Sequence, residues 1–481
     1  MIPFGLIPGP SWLNSGDNTW QLTAATLVGL MSIPGLAILY GGVVQRRWAV
    51  NSAMMAFYGF AVVLIAWVLW GFKMSFGAPL SIGSLTGFLG IPGASLDHAS
   101  EQARANIPLL SGLNLMPQFR YPQASLIYFQ FVFAAITPLL FLGSVLGRMN
   151  FKAWMIFVPV WSTVVYSVNA FSIWGGGWLS QMGAVDYSGG YVIHLSAGVT
   201  GFVAAAVIGP RLARDRAEAA PNNLMMTMAG AGLLWLGWNG FNGGDPYFAN
   251  ADASAAVLNT NIAAATALLV WMSIDMLVLG KPSLVGSING MITGLVAITP
   301  AAGFVNGVGA IAIGVVASAI PWFTLNRVRV FKRVDDALGV IHTHGIAGLI
   351  GGLMVGLVAD PQMLEYNPSG GDSGFSVGGL FYGGGWHQFG VQLAGAAFVI
   401  AYSAIGTVVL LRAVSLVVAL RMPDAMLEAG DAQVHGEEAL SPLPMPGPSL
   451  DYPIPGGMTG ASIPSTVMAS SSTSTPPPTR T

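Results

Sequence analysis

The 481-residue sequence contains no cysteine, so it forms no disulfide and offers no thiolate nucleophile or thiolate metal site. Charge is almost as scarce: 18 Lys and Arg with 20 Asp and Glu make up 8% of the chain, against roughly 25% in soluble domains. A formal net charge of −2 lacks the basic excess expected of a nucleic-acid partner. The opening stretch, Met1 to Gly16, has no Lys or Arg and no clean apolar core, so it does not read as a signal peptide. Walker-type loops, GxSxG and HExxH are missing, and no polar segment is large enough to form an ATP-hydrolysing domain. These absences exclude transport driven by nucleotide hydrolysis on this chain. They lead us to expect no enzyme activity, no catalytic residues, no cofactor and no metal.

What the chain does have is apolar length. Hydrophobic residues make up 54% of it, which points to an all-α integral membrane protein. A span needs about 20 apolar residues. Eleven such stretches stand out, near 20–43, 50–76, 122–145, 151–172, 189–209, 222–243, 254–279, 283–300, 303–325, 337–359 and 386–420. Many carry Gly, Ser or Thr at close spacing, which suits helices packed on helices.

Basic residues set the orientation. Arg46 and Arg47, Arg148 and Lys152, Arg211, Arg214 and Arg216, Lys281, Arg327 to Arg333, and Arg412 with Arg421 fall in or beside every second loop. The alternate loops hold only Arg104 and Arg120, with Lys73 near a span end. The positive-inside rule then places the N-terminus outside and the C-terminus in the cytoplasm, which requires an odd number of spans. Acids such as Asp17, Asp97, Asp186, Asp245 and Asp360 gather on the outer side. Two readings fit that bias: an acidic face concentrates cations, or acids simply occupy loops from which bases are excluded. The reading divides the chain into an extracellular segment at 1–19, a transmembrane domain at 20–420, a cytoplasmic segment at 421–440 and a Pro/Ser/Thr-rich, disordered cytoplasmic tail at 441–481.

Two histidines inside these spans share one frame. His194 follows Asp186 by eight residues and His344 follows Asp336 by eight, with glycines at +4 (Gly198, Gly348) and +7 (Gly201, Gly351). Ionisable side chains in lipid are costly and persist where they line a path or pair with a partner. In the inferred topology one copy runs inward and the other outward. This predicts an inverted five-helix repeat plus one extra helix, with its site near the midplane. His342 lies two residues before His344, so it points to nearly the opposite side of a helix and reads as a packed or hydrogen-bonded histidine. Asp275, inside the seventh stretch and six residues before Lys281, reads as paired with a basic loop. Asp335 and Asp336 read as acids at the start of the tenth.

Several stretches resemble the ammonium transporter (Amt/Mep/Rh) family, and its Amt branch in particular. They are Trp174-Gly-Gly-Gly, Asp186-Tyr-Ser-Gly-Gly-Tyr-Val-Ile-His194, Val334-Asp-Asp with His344-Gly345, Ile33-Pro-Gly-Leu-Ala-Ile-Leu-Tyr40-Gly-Gly, Gly237-Trp-Asn-Gly-Phe241-Asn-Gly-Gly and Gly280-Lys-Pro-Ser-Leu. The resemblance covers about residues 18 to 438. It implies eleven spans, a homotrimer in the cell membrane, and a pore for ammonium or ammonia through each subunit. It implies an outer recruitment site at Phe129, Trp174 and Asp245, a gate of stacked rings at Phe133 and Phe241, and a pore passing His194 and His344. Asp186 would support the vestibule and the helix start from behind. Asp245 departs from the pattern, because serine is common there. Its carboxylate would bind a cation more tightly, slow its release, or turn away and cap the chain near Pro246. Residues 421–440 resemble a cytoplasmic regulatory region that accepts P-II type regulators. A second class of function, an ammonium receptor signalling through that region, shares the same fold; a long output domain would favour it.

Overall fold

The structure is a computed structural model that describes residues 9–81, 86–113, 118–217, 220–363 and 377–439. The proposed tail at 441–481 lies outside the described residues. Eleven helical rods make up the body: α1 Ser15–Val43, α2 Arg46–Phe76, α3 Gln123–Val145, α4 Phe151–Gln181, α5 Gly190–Ile208, α6 Leu224–Gly243, α7 Ala251–Leu279, α8 Leu284–Ile298, α9 Gly307–Arg327, α10 Ile341–Val358 and α11 His387–Ser415. Among the described residues nine of these are long and apolar enough to cross a membrane; α6 and α8 are not. No strand is formed among the described residues, only three isolated β-bridges. Each of the eleven apolar stretches read from the sequence overlaps one rod, with ends that differ by up to nine residues, as where α4 runs on to Gln181.

The rods start where the sequence supplies oxygen acceptors for orphan N–H groups. Asn14, Asn150, Asn250, Ser283 and Asn306 each accept a backbone N–H in the first turn of α1, α4, α7, α8 and α9. Small residues then let the rods close on one another. A Cβ on Gly294 of α8 would lie 2.6 Å from the Ala263 carbonyl of α7, and one on Gly314 of α9 would lie 2.8 Å from that same oxygen. Helix α3 runs through the middle, with 94% of its most apolar stretch buried.

The two histidine frames meet each other in matching ways. A Cβ on Gly198, at +4 in the first copy, would fall 2.2 Å from the Gly345 nitrogen, one residue past His344. A Cβ on Gly348, at +4 in the second, would fall 3.0 Å from the Leu195 nitrogen, one residue past His194. At +7, Gly201 abuts Ser144 on α3, and Gly351 abuts Ala297 on α8, five rods later. The amide after each frame aspartate also finds a matched partner: Ala337 donates to the Ser144 carbonyl at 3.2 Å, and Tyr187 to the Pro300 carbonyl at 3.2 Å.

Most of the basic loops gather at one end. Arg47 pairs with Asp215, Arg211 with Asp335 at 2.7 Å, and the buried Arg148 donates to the Gly209 and Asp335 carbonyls. Burial pushes the Asp335 carboxyl up, but the hydrogen bonds and charge of Arg211, with the charge of Arg148, outweigh it and hold the carboxyl below its usual range. Two expectations are therefore refined. Asp335 and Asp336 precede α10 rather than open it, with only Asp336 accepting the Ile341 N–H at 2.8 Å. Asp275 accepts the Trp322 indole N–H at 2.7 Å, which satisfies it within the bundle rather than through a basic loop.

Residues 421–439 fold onto this same end. Trp48, Met422 and Leu427 form a small apolar cluster. The Asp431 carboxylate takes the Val50 and Asn51 N–H groups at 2.8 Å each, within the first turns of α2. His435 bonds Asn51 at 3.0 Å and packs edge-on to Phe151. Gly430, at φ +70°, lies where a Cβ would meet the Arg47 carbonyl at 2.4 Å, so both backbone and space demand glycine.

These contacts set three stability outcomes. Gly198→Ala meets immovable backbone and should cost about 1–3 kcal/mol in thermal melts of the purified protein. Gly232→Ala, with nothing within 4 Å, should be neutral or stabilising. Asp431→Ala removes a helix cap and should cost about 0.5–2 kcal/mol locally, seen as faster tryptic cleavage after Arg421. An unchanged cleavage rate would show that the segment is held by other contacts.

Candidate functional site

The site grows from the starts of α5 and α10. Asp186 lies just before α5 and accepts four successive backbone N–H groups. Its Oδ1 takes those of Gly189 and Gly190 at 3.1 and 2.6 Å, and its Oδ2 those of Tyr191 and Val192 at 2.9 Å each. Burial raises this carboxyl and the four N–H bonds pull it back, leaving it near 6. Its carbonyl accepts the Trp174 indole N–H at 2.7 Å. Both histidine helices open with a widened π-helical turn, at Gly190–Leu195 and Ile341–Ile346. Such insertions recur at functional sites because they re-aim side chains.

The two histidines converge. His194 Nδ1 and His344 Nδ1 lie 3.2 Å apart, with ring centroids 5.3 Å apart and planes 22° from parallel. That contact requires one ring to carry its proton on Nδ1 and the other to leave Nδ1 bare. Both rings are buried, and His194 Nε2 has no hydrogen-bond partner among the described residues. His194 also stacks on Trp238 at 5.3 Å and on Phe241 at 5.7 Å. Trp238, held by a 2.9 Å bond to Thr299, was not singled out as a site residue from the sequence, although it sits inside the Gly237–Gly244 motif.

Aromatic rings continue the column away from the basic end. Phe133 and Phe241 lie 4.4 Å apart at 34°, Phe129 is 4.8 Å from Phe133, and Trp174 meets Phe133 edge-on at 6.2 Å. Phe129, Phe133 and Phe241 are fully buried; Trp174 is partly exposed. Asp245 is also closed from solvent. It is hydrogen-bonded to the Ser188 hydroxyl, and burial together with the Asp186 charge raises it well above the usual carboxylate range. Tyr247 covers this end: it packs edge-on to Phe129 and accepts the Gln130 amide at 2.8 Å. It holds a left-handed φ of +63°, which nothing in its residue type advertised.

Between His344 and the basic loops a cavity of about 560 Å³ opens, lined by Leu36, Tyr40, Leu140, Ile288 and Thr343 and reaching Gln45 and Lys332. His342 also borders it, but its Nδ1 bonds the Thr324 hydroxyl at 2.9 Å and its ring packs on Phe331. It stands apart from the His194–His344 contact. Among the described residues no cluster of His, Cys, Asp or Glu has the makings of a metal site.

The Ammonium Transporter Family profile matches residues 19–440. Ammonium transporter 3 member 2 of Oryza sativa subsp. japonica is 53% identical over 440 residues, covering 89% of this chain and 90% of that one. Ammonium transporter 2 of Arabidopsis thaliana is 51% identical over 438 residues, covering 89% of each. The crystal structure of Saccharomyces cerevisiae Mep2 superposes with a TM-score of 0.73 at 29% identity, over 86% of this chain and 89% of that one. A sensor Amt protein shares the fold at a TM-score of 0.74 and 23% identity, over 88% of this chain and 98% of that one. The chain belongs to the ammonium transporter family, in its Amt branch, and is a multi-pass membrane protein of a family of transporters, not enzymes.

Proposed function

We propose that the protein carries ammonium across the cell membrane by recruiting the cation outside and conducting it as ammonia plus a relayed proton. The observation that carries this reading is the 3.2 Å His194–His344 contact beneath a closed column of rings. A bare cation entering so apolar a passage loses its hydration without replacement. Neutral ammonia loses far less. Paired imidazoles, each able to donate and accept, offer the separated proton its own route.

Trp174 at the partly open rim, with Phe129 and Asp245 beneath it, forms the recruitment site. An aromatic face attracts a cation and a carboxylate attracts it further. Phe133 and Phe241 form the gate. Their rings touch, so each passage requires them to turn. Asp186 supports the site from behind by fixing the start of α5 and the Trp174 indole. The cavity inward of His344 is the exit.

In this reading all eleven rods cross the bilayer, α8 with help from the turns that flank it. The N-terminus lies outside and the basic loops, with residues 421–439, lie in the cytoplasm. The matched glycine and amide contacts of α5 and α10 support an inverted five-helix repeat. The subunits form a homotrimer. On the outer face of α6 and α7, Trp235, Asn261 and Asn239 form a half-buried polar chain, which a neighbouring subunit would shield from lipid. Residues 421–440 serve as a docking surface for a P-II type regulator, and a pull-down with a P-II protein should lose its signal when that segment is deleted.

Solid-supported membrane recordings on proteoliposomes test the mechanism. An ammonium jump should give a current together with uptake. Uptake without transferred charge would replace the relay by neutral ammonia conduction. No uptake by correctly inserted protein would favour a receptor. Replacing His194 or His344 by Ala should cut the ammonium flux or its selectivity, whereas His342→Ala should chiefly lower thermal stability. Equal transport defects at all three would contradict the assigned path.

A further inference from the structure

Two carboxylates sit buried at the outer end of the ring column, and they are not equivalent. Asp186 has both oxygens committed, each to two backbone N–H groups at 2.6–3.1 Å. A proton placed on it would face four N–H donors and open the first turn of α5. Asp245 lies at the end of α6, four residues past the gate ring Phe241. Its neighbour Gly244 presses against Phe129, where a Cβ would come within 2.4 Å of the ring. Its side chain is bonded to Ser188, whose hydroxyl also lies 2.9 Å from the Phe241 carbonyl oxygen.

A serine hydroxyl has one proton and two lone pairs. When Asp245 is ionised, Ser188 can turn its proton toward the carboxylate. When Asp245 is protonated, the acid can donate to Ser188 while Ser188 donates to the Phe241 carbonyl. The Asp245–Ser188 bond thus persists in either protonation state without moving backbone, and only the Ser188 bond to the Phe241 carbonyl is made and broken as Asp245 gains and loses its proton. Asp186 offers no such alternative.

We infer that Asp245 is the base that takes the proton from ammonium at the gate, beyond its role in attracting the cation. The step is a simple transfer: an N–H bond of ammonium breaks, an O–H bond forms on the Asp245 carboxylate, and neutral ammonia is released past Phe133 and Phe241. The proton rests on the carboxyl until it moves to the histidine pair, where His194 Nε2 lacks a partner among the described residues. Among the groups acting on Asp245 are the Ser188 hydroxyl and the Asp186 carboxylate, with the Tyr166 phenol in the same field. Burial and Asp186 both push the Asp245 carboxyl well above the usual carboxylate range, which makes it a stronger base than a solvent-exposed carboxylate.

The inference rests on the ammonium-transport reading, which wild-type uptake decides independently. The test of Asp245 is Asp245→Asn in proteoliposomes, where the amide keeps the size and a dipole for the cation but takes no proton. The maximal rate should fall by about 100-fold, in line with the loss of a positioned base, and raising ammonium should not restore it. In the wild type the maximal rate should fall as outside pH drops through the raised carboxyl midpoint, because only the ionised form accepts a proton. The variant should be flat across that range. A higher half-saturating ammonium concentration with the maximal rate preserved would leave Asp245 a recruitment residue and overturn the inference. A second measurement does not depend on the variant's folding. At alkaline pH, infrared difference spectra of the wild type should gain a protonated-carboxyl stretch on adding ammonium but not potassium, which has no proton to give. If no such band appears, the inference fails.

Discussion

The contact between His194 and His344 asks two polar rings to lie side by side inside an apolar bundle, 3.2 Å apart and covered by Trp238 and Phe241. Each ring must lose water to get there, and each recovers only part of that loss through the other. Such a pair persists only if the two helices bearing it come very close and hold fixed angles. Gly198 and Gly348 supply the closeness, each removing a side chain where the opposite helix passes one residue beyond its histidine. Asp186 and Asp336 anchor the angles, by accepting amides from the first turns of α5 and α10. The frame of aspartate, histidine and two glycines is therefore one device written twice, and each element answers a specific demand of the pair.

Much of this was legible because the bilayer restricts the choices. Apolar length located every rod, and the shared spacing from aspartate to histidine brought together two side chains 150 residues apart. The same spacing set His342 aside, and its bond to Thr324 accounts for it locally. What stayed hidden depends on tertiary partners that spacing does not encode. Asp275 ends on the Trp322 indole, a helix away, rather than on Lys281 nearby in sequence. Asp335 is drawn off into an ion pair with Arg211, leaving Asp336 alone to meet α10. Trp238 lies within the Gly237–Gly244 motif, yet its place as a wall of the histidine site carries no mark in the sequence, because a tryptophan in an apolar helix looks like any other core residue. Tyr247 gave no signal at all, since its left-handed backbone is imposed by the loop it closes.

The outer end carries the sharpest departure from a simple open funnel. Phe129 and Asp245 are buried, with Tyr247 packed edge-on to Phe129, so in the proposed mechanism attraction of a cation and its entry are separate events. That separation suits a passage that must refuse hydrated ions. A cation of ammonium's size that cannot shed a proton meets the same rings, the same dry column and the same two imidazoles. It has no way to divide its charge from its bulk.

Potassium flux through the wild-type protein is therefore the most direct measurement. Proteoliposomes that pass current on an ammonium gradient should pass none on an equal potassium gradient at the same membrane potential. A sustained potassium current through the intact His194–His344 pair would mean that whole cations cross it, and the division into ammonia and proton would be wrong.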